Sequence, residues 1–237
     1  MAQPPSPAAV MRLVAHLEAD AVAPELSSEL TAWLAGSARF RSFVEQHRDK
    51  VRKKLRSAAD PESRRDVRAE LRAAQLLLGD RRLELAFEAY GAAGGPDFTV
   101  TFRGGQRLNL EVTRLRGDPA DADLGGRLSA KLRQLPPSVP NALLLAVDGS
   151  DAGDVDVAGT VRALRTRADA KDEAFIAARG FAGTRDFYER FLRLGAVLTW
   201  CESASGDARV ALWTNRSARI PLPPRAATAC LAALRSV

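Results

Sequence analysis

The chain predicts an α/β fold: a mixed central sheet flanked by helices, preceded by an all-helical extension. Three observations carry this expectation. Residues 9 to about 58 repeat apolar side chains at helical spacing. From residue 83 onward the pattern changes to short alternating segments broken by glycines, the signature of strands and turns. Asn141 to Val147 is then an unbroken apolar run, as expected of a strand covered on both faces. Strands followed by a helix and a fully apolar strand are the order of an α/β sandwich with a mixed sheet.

The elements follow in order. Residues 1–8 are Pro-rich and expected to be disordered. Val10, Leu13, Val14 and Leu17 mark a first helix, and Glu25 to Leu34 a second. A third is predicted over 37–57, with Phe40, Phe43, Val44, Val51 and Leu55 on one side. Asp60 followed by Pro61 is a cap-and-first-residue pair, so a fourth helix should run from Pro61 to about Leu78 and stop at Gly79. Strands are expected at Leu83–Tyr90 and in a hairpin within residues 96–114. A loop at 117–121 leads to a helix over about 122–135, ended by Pro136 and Pro137. After the apolar strand, an acidic loop (148–156) precedes helices over 157–170 and 184–193. Two strands follow (196–201 and 208–214) with a turn at 203–207, and a closing helix runs from Arg225 to Arg235. This divides the chain into a basic helical extension, 1–60, and an α/β domain, 61–237.

Composition narrows the functional classes. The chain is 46% hydrophobic over 237 residues, enough for a buried core and too much for a disordered chain. No apolar run is long enough to span a bilayer, and the start lacks a basic segment followed by an apolar one, so neither membrane nor secretory signal is expected. Two isolated cysteines, Cys201 and Cys230, fit a reducing cytoplasm. A net charge of +6 favours a polyanionic partner, because neutralised phosphates release counterions. The third helix concentrates that charge, with Arg48, Arg52, Lys53 and Lys54 as the candidates for contact with nucleic acid, foremost DNA. A homodimer is left open.

The chemistry points to the hairpin. Side chains two apart share a strand face, so Leu108, Leu110 and Val112 lie on one face and Asn109, Glu111 and Thr113 on the other. Pairing Phe98 with Leu110 and Val100 with Leu108 keeps the apolar faces together and leaves Arg103, Gly104 and Gly105 as a three-residue loop. The same register sets Asp97 opposite Glu111. Opposed side chains have Cβ atoms only about 5 Å apart, where like charges repel unless a cation intervenes. A Mg²⁺ or Mn²⁺ ion is one such cation. Neutralisation by Arg103, Arg107 or Arg114 is the other solution. In the preceding helix Glu70 shares the face of Val67, Leu71, Ala74 and Leu78, so it lies at the core's rim or in a polar site.

A helix carrying Glu70, Pro96-Asp97 opening a strand, Glu111-Val112-Thr113 in the next strand, then a helix and an apolar strand: over residues 61–147 this order resembles the PD-(D/E)XK nuclease-like superfamily. The resemblance implies a restriction-endonuclease-like sheet with its active site at the hairpin. It implies Asp97 and Glu111 as ligands of Mg²⁺ or Mn²⁺, Glu70 as the residue completing the site, and hydrolysis of phosphodiester bonds in DNA or RNA. The superfamily's lysine, two residues after the second acid, is replaced here by Thr113. Lys131, on the following helix beside the stripe of Leu128, Leu132 and Leu135, is the candidate to supply that charge, and Gln134 a further hydrogen bond. The rival expectation is a non-catalytic member of the same fold, binding nucleic acid or protein. No phosphate-loop or nucleophile-elbow motif occurs, and His16 and His47 lie far in sequence from the acids.

Overall fold

The computed structural model describes residues 7–18, 24–90, 95–103, 105–116, 123–147, 155–202 and 208–236. Most of the Pro-rich start, Gly104, the loop at 117–121, most of the acidic loop at 148–156 and the turn at 203–207 lie outside the described residues. The chain forms two compact units, Met1–Arg81 and Arg82–Val237.

The first unit is helical: α1 (Pro7–Glu18), α2 (Pro24–Gly36), α3 (Ala38–Gln46), α4 (Arg48–Ser57) and α5 (Pro61–Gly79). The helix expected over 37–57 is two helices, because His47 leaves the helical region at φ −112°, ψ 17°. The bend breaks few hydrogen bonds: His47 N–H still reaches Phe43 O and Val51 N–H reaches His47 O. The His47 ring stacks edge-on against Phe43. Asp60 caps α5 as expected, its side chain accepting from Ser63 N–H at 2.9 Å with Pro61 following. Helix α5 packs on α3 and α4 and belongs to this helical unit. Two of the basic residues close helix ends. Arg39 donates to the carbonyls of Leu78, in the last turn of α5, and Asp80, its C-cap, and Arg41 to Leu34 O in the last turn of α2. Carbonyls at a helix C-terminus have no partner within the helix, and a cation there also suits the helix dipole.

The second unit is a six-stranded sheet in the order β1 (Leu83–Phe87), β2 (Phe98–Phe102), β3 (Gln106–Leu115), β4 (Asn141–Val147), β5 (Leu194–Glu202), β6 (Ala208–Thr214). The central strands β3, β4 and β5 run parallel, and the other neighbours are antiparallel. The parallel steps need crossovers, supplied by α6 (Leu124–Leu132) between β3 and β4, and by α7 (Val157–Asp169), α8 (Glu173–Ala178) and α9 (Thr184–Phe191) between β4 and β5. Helix α10 (Pro224–Arg235) follows β6 and packs against it. Strand β1 is shorter than expected. It ends at Phe87 because Glu88 turns to φ +44°, outside extended backbone.

Strand β4 is buried along its whole length, as its composition required. On one face of the sheet Leu115, Leu143, Leu145 and Val197 meet Leu124, Leu128 and Leu132 of α6, Val161 and Leu164 of α7, and Phe187 and Phe191 of α9. Among the described residues no helix is long and apolar enough to cross a membrane.

Candidate active site

The hairpin register is the one that hydrophobic matching demands: Phe98 pairs with Leu110 and Val100 with Leu108. Phe102 pairs with Gln106, so the loop is residues 103–105, and Gly105 takes the left-handed conformation at φ +79°. One step beyond the last ladder pair, Asp97 meets Glu111. The Asp97 N–H donates to Glu111 Oε2 at 3.2 Å, and Asp97 Oδ2 accepts from Val112 N–H at 2.9 Å. The carboxylate of Asp97 thus takes over a strand amide at the end of the ladder.

Glu111 is 5% exposed, with Leu143 of β4 as its neighbour along the sheet. Its face is that of Leu115 and the core beneath α6. The cation that meets it is Lys131. The last turn of α6 carries Lys131 beside the buried stripe of Leu128 and Leu132, and its Nζ donates to Glu111 Oε1 at 2.5 Å. Asp97, Glu111 and Lys131 therefore form one connected cluster within the sheet unit. Burial pushes the Glu111 carboxyl above its ordinary value of 4.5, repulsion from Asp97 adds to this, and Lys131 opposes both. Thr113, two residues on from Glu111, is half-buried beside Leu145 and brings no charge. Arg114 is buried at 4% exposure, and strand alternation turns it to the opposite face. Gln134 is exposed.

Below Glu111 on the same face, sequence reasoning missed an amide ladder. Asn109 and Asn141 are parallel neighbours, both fully buried. Asn109 Nδ2 donates to Asn141 Oδ1 at 2.9 Å, and Asn141 Nδ2 donates to Pro136 O and Arg193 O at 2.8 and 3.0 Å. The hydroxyls of Tyr90 and Thr99 donate to Asn109 Oδ1 at 3.2 and 3.3 Å. The network ties the loop after α6 to the entrances of β4 and β5, which fixes the helix end that carries Lys131. The available signal was one asparagine in each of two strands, where asparagine is disfavoured, the one in β4 beside an otherwise apolar run.

The donor chemistry of the cluster fits a hard divalent cation. Glu111 and Asp97 offer carboxylate oxygens, and an oxygen that accepts one hydrogen bond keeps a second lone pair. Among the described residues there is no group of three or more His, Cys, Asp or Glu side chains that would cage an ion. Two carboxylates with the remaining positions left to water and phosphate is the way proteins usually hold Mg²⁺, rather than Ca²⁺ or Zn²⁺.

The other candidate residues lie in the helical unit. Glu70, on α5, is half-buried and accepts a hydrogen bond from Lys54 through Oε2. Lys54 is therefore held against Glu70 instead of projecting outward for a partner. Arg48 is exposed, with Nε 3.9 Å from Asp49 Oδ1. Arg52 and Lys53 line an open concavity with Asp49, Arg56 and Ser57. Comparison of the chain with protein families, with curated proteins and with solved structures finds no match.

Proposed function

We propose that the sheet unit is a metal-dependent phosphodiesterase acting on nucleic acid, a restriction-endonuclease-like domain with its lysine moved from β3 to α6. The observation that carries this reading is the contact of Lys131 with Glu111 beside Asp97. An acid pair and a lysine meet although they come from the residue before β2, from β3 and from α6. The mixed sheet with a helical crossover after β3 supports the same reading.

The roles follow from the chemistry. Asp97 and Glu111 would hold Mg²⁺ or Mn²⁺, which when bound supplies Lewis-acid polarisation of a phosphate oxygen. Glu111 is well suited to this, because its buried negative charge is repelled by Asp97 and gains from any added cation. Lys131 places an ammonium beside the acids, where negative charge grows on the phosphate during displacement. The half-buried setting strengthens that interaction compared with open water. Asn109 and Asn141 hold the frame without touching the phosphate. Glu70 is engaged by Lys54 in the helical unit, and the reading does not depend on it.

One observation favours a second reading. Lys131 and two strand amides already satisfy the two acids, so the cluster is self-consistent as a structural ion pair in a non-catalytic domain. The test is cleavage of end-labelled single- and double-stranded DNA and RNA by the full chain with Mg²⁺ or Mn²⁺. Cleavage that is lost in Glu111→Ala and in Asp97→Ala supports the enzyme. No cleavage of any substrate by the wild type overturns it in favour of the non-catalytic domain.

A further inference from the structure

Each oxygen of the buried Glu111 carboxylate already has a donor. Lys131 Nζ reaches Oε1 at 2.5 Å, and Asp97 N–H reaches Oε2 at 3.2 Å. The two ends of the ion pair differ in freedom. Glu111 is fixed in β3, with Leu143 of β4 beside it. Lys131 stands in the last turn of α6 on a flexible four-carbon stem, and its side chain is 24% exposed, which leaves it a way to solvent. A cation anywhere around that turn also suits the helix dipole, so the ammonium is not tied to one rotamer.

We propose that Lys131 and a divalent cation are exclusive partners of Glu111, so that loading the site moves the ammonium off the carboxylate and leaves it beside the acids to meet a phosphate oxygen. This rests on the proposed cation site of Asp97 and Glu111 and adds how that site is loaded. The reason is charge. An ammonium and a divalent ion on one buried carboxylate repel each other at close range, and the half-buried setting screens that repulsion less than water does. The carboxylate gains more from the doubly charged partner, and the strongly hydrated ammonium recovers water on leaving. One lysine then serves in turn as the counter-ion of a buried acid and as a stabiliser of charge on the phosphate. A purely structural ion pair behaves differently: it keeps its lysine at every cation concentration.

The experiment follows how accessible the lysine amine is. The full chain is acetylated briefly with an N-hydroxysuccinimide ester, at fixed pH and in increasing Mn²⁺, and each lysine is quantified by peptide mass spectrometry. The melting temperature is recorded over the same titration. Lys54 is the internal reference, because its side chain is 25% exposed and paired with Glu70, a near match to Lys131. Acetylation of Lys131 should rise severalfold and saturate over the same Mn²⁺ range as the melting temperature, with Lys54 unchanged. In Glu111→Gln, Lys131 should react faster from the start and ignore Mn²⁺. Lys131→Met has no ammonium to displace and should reach its plateau at about tenfold lower Mn²⁺, about 1.4 kcal/mol in binding. A melting temperature that rises while Lys131 acetylation stays flat overturns the exchange and spares the cation site. No change in either removes the cation site, and the exchange with it. Equal gains at Lys131 and Lys54 would reveal a general loosening and overturn the exchange, as would a Lys131→Met variant that needs as much Mn²⁺ as the wild type.

Discussion

Replacing Lys131 by Met removes the ammonium and keeps an unbranched apolar stem that still packs beside Leu128 and Leu132. What changes is the charge state available to Glu111. In the folded chain its carboxyl titrates above the ordinary 4.5, first through burial and second through Asp97. The folded state therefore holds the proton more tightly than the unfolded state. The stability this group contributes is fully present below about 4.5 and is lost as pH rises through the raised folded value. Lys131 is what limits that loss in the wild type, so without it the window widens upward. Breaking a fully buried pair by removing one partner costs about 3–5 kcal/mol. The Lys131 side chain is 24% exposed, so solvent already screens part of the pair. Glu111 also has the alternative of taking up a proton. Together these reduce the expected loss to about 2–3 kcal/mol at about pH 8, and to less than that at about pH 5, because the raised carboxyl takes up a proton more readily as pH falls. Urea unfolding of wild type and variant at the two pH values measures it. An equal loss at both would show that the lysine matters through packing and would refute the electrostatic reasoning.

The remaining predictions concern the frame around that pair. Asp97→Asn keeps an oxygen for Val112 N–H but removes the repulsion on Glu111, so the fall in stability with rising pH should be shallower than in the wild type, read from the same urea series. Asp97→Ala lacks that acceptor and should cost about 1–3 kcal/mol, restored only partly by Asp97→Asn. Asn109→Leu leaves a buried Asn141 oxygen without its donor and should cost about 1–3 kcal/mol, with a matching loss of amide-exchange protection at the start of β4. Gly105→Ala meets no atom within 4 Å but must hold φ at +79°, so backbone strain alone should cost about 1 kcal/mol, seen as a lower urea midpoint with unchanged slope.

Much of the framework was readable before the structure, because it depended on period and local chemistry. Matching Phe98 and Val100 to Leu110 and Leu108 specified the hairpin register, and Asp60-Pro61 specified where α5 begins. The stripe of Leu128 and Leu132 placed Lys131 at the edge of the core, which is where it meets Glu111. Other features have no such local cause. The turn at His47 carries no proline or glycine, so the helix over 37–57 read as continuous. Helix α8 has only six residues, too few for a hydrophobic period to emerge. Strand β1 ends at Phe87 because a single residue, Glu88, takes an unusual φ. The Asn109–Asn141 ladder depends on β3 and β4 being parallel neighbours in register, a tertiary fact that neither strand's sequence encodes alone. The sorting of the basic residues was hidden for the same reason. Arg39, Arg41 and Lys54 look like a cationic surface in sequence, but in the fold they bond to helix-end carbonyls and to Glu70.

The claim that Asp97 and Glu111 form one cation site is tested most directly by thermal unfolding in increasing Mn²⁺, because a ligand that binds only the folded state raises its melting temperature. The wild type should show a saturating rise, about 2.7 kcal/mol of added stability at a hundredfold excess over the dissociation constant, and Glu111→Gln should show none of it. A wild type indifferent to Mn²⁺, or a variant that gains as much as the wild type, would contradict the account.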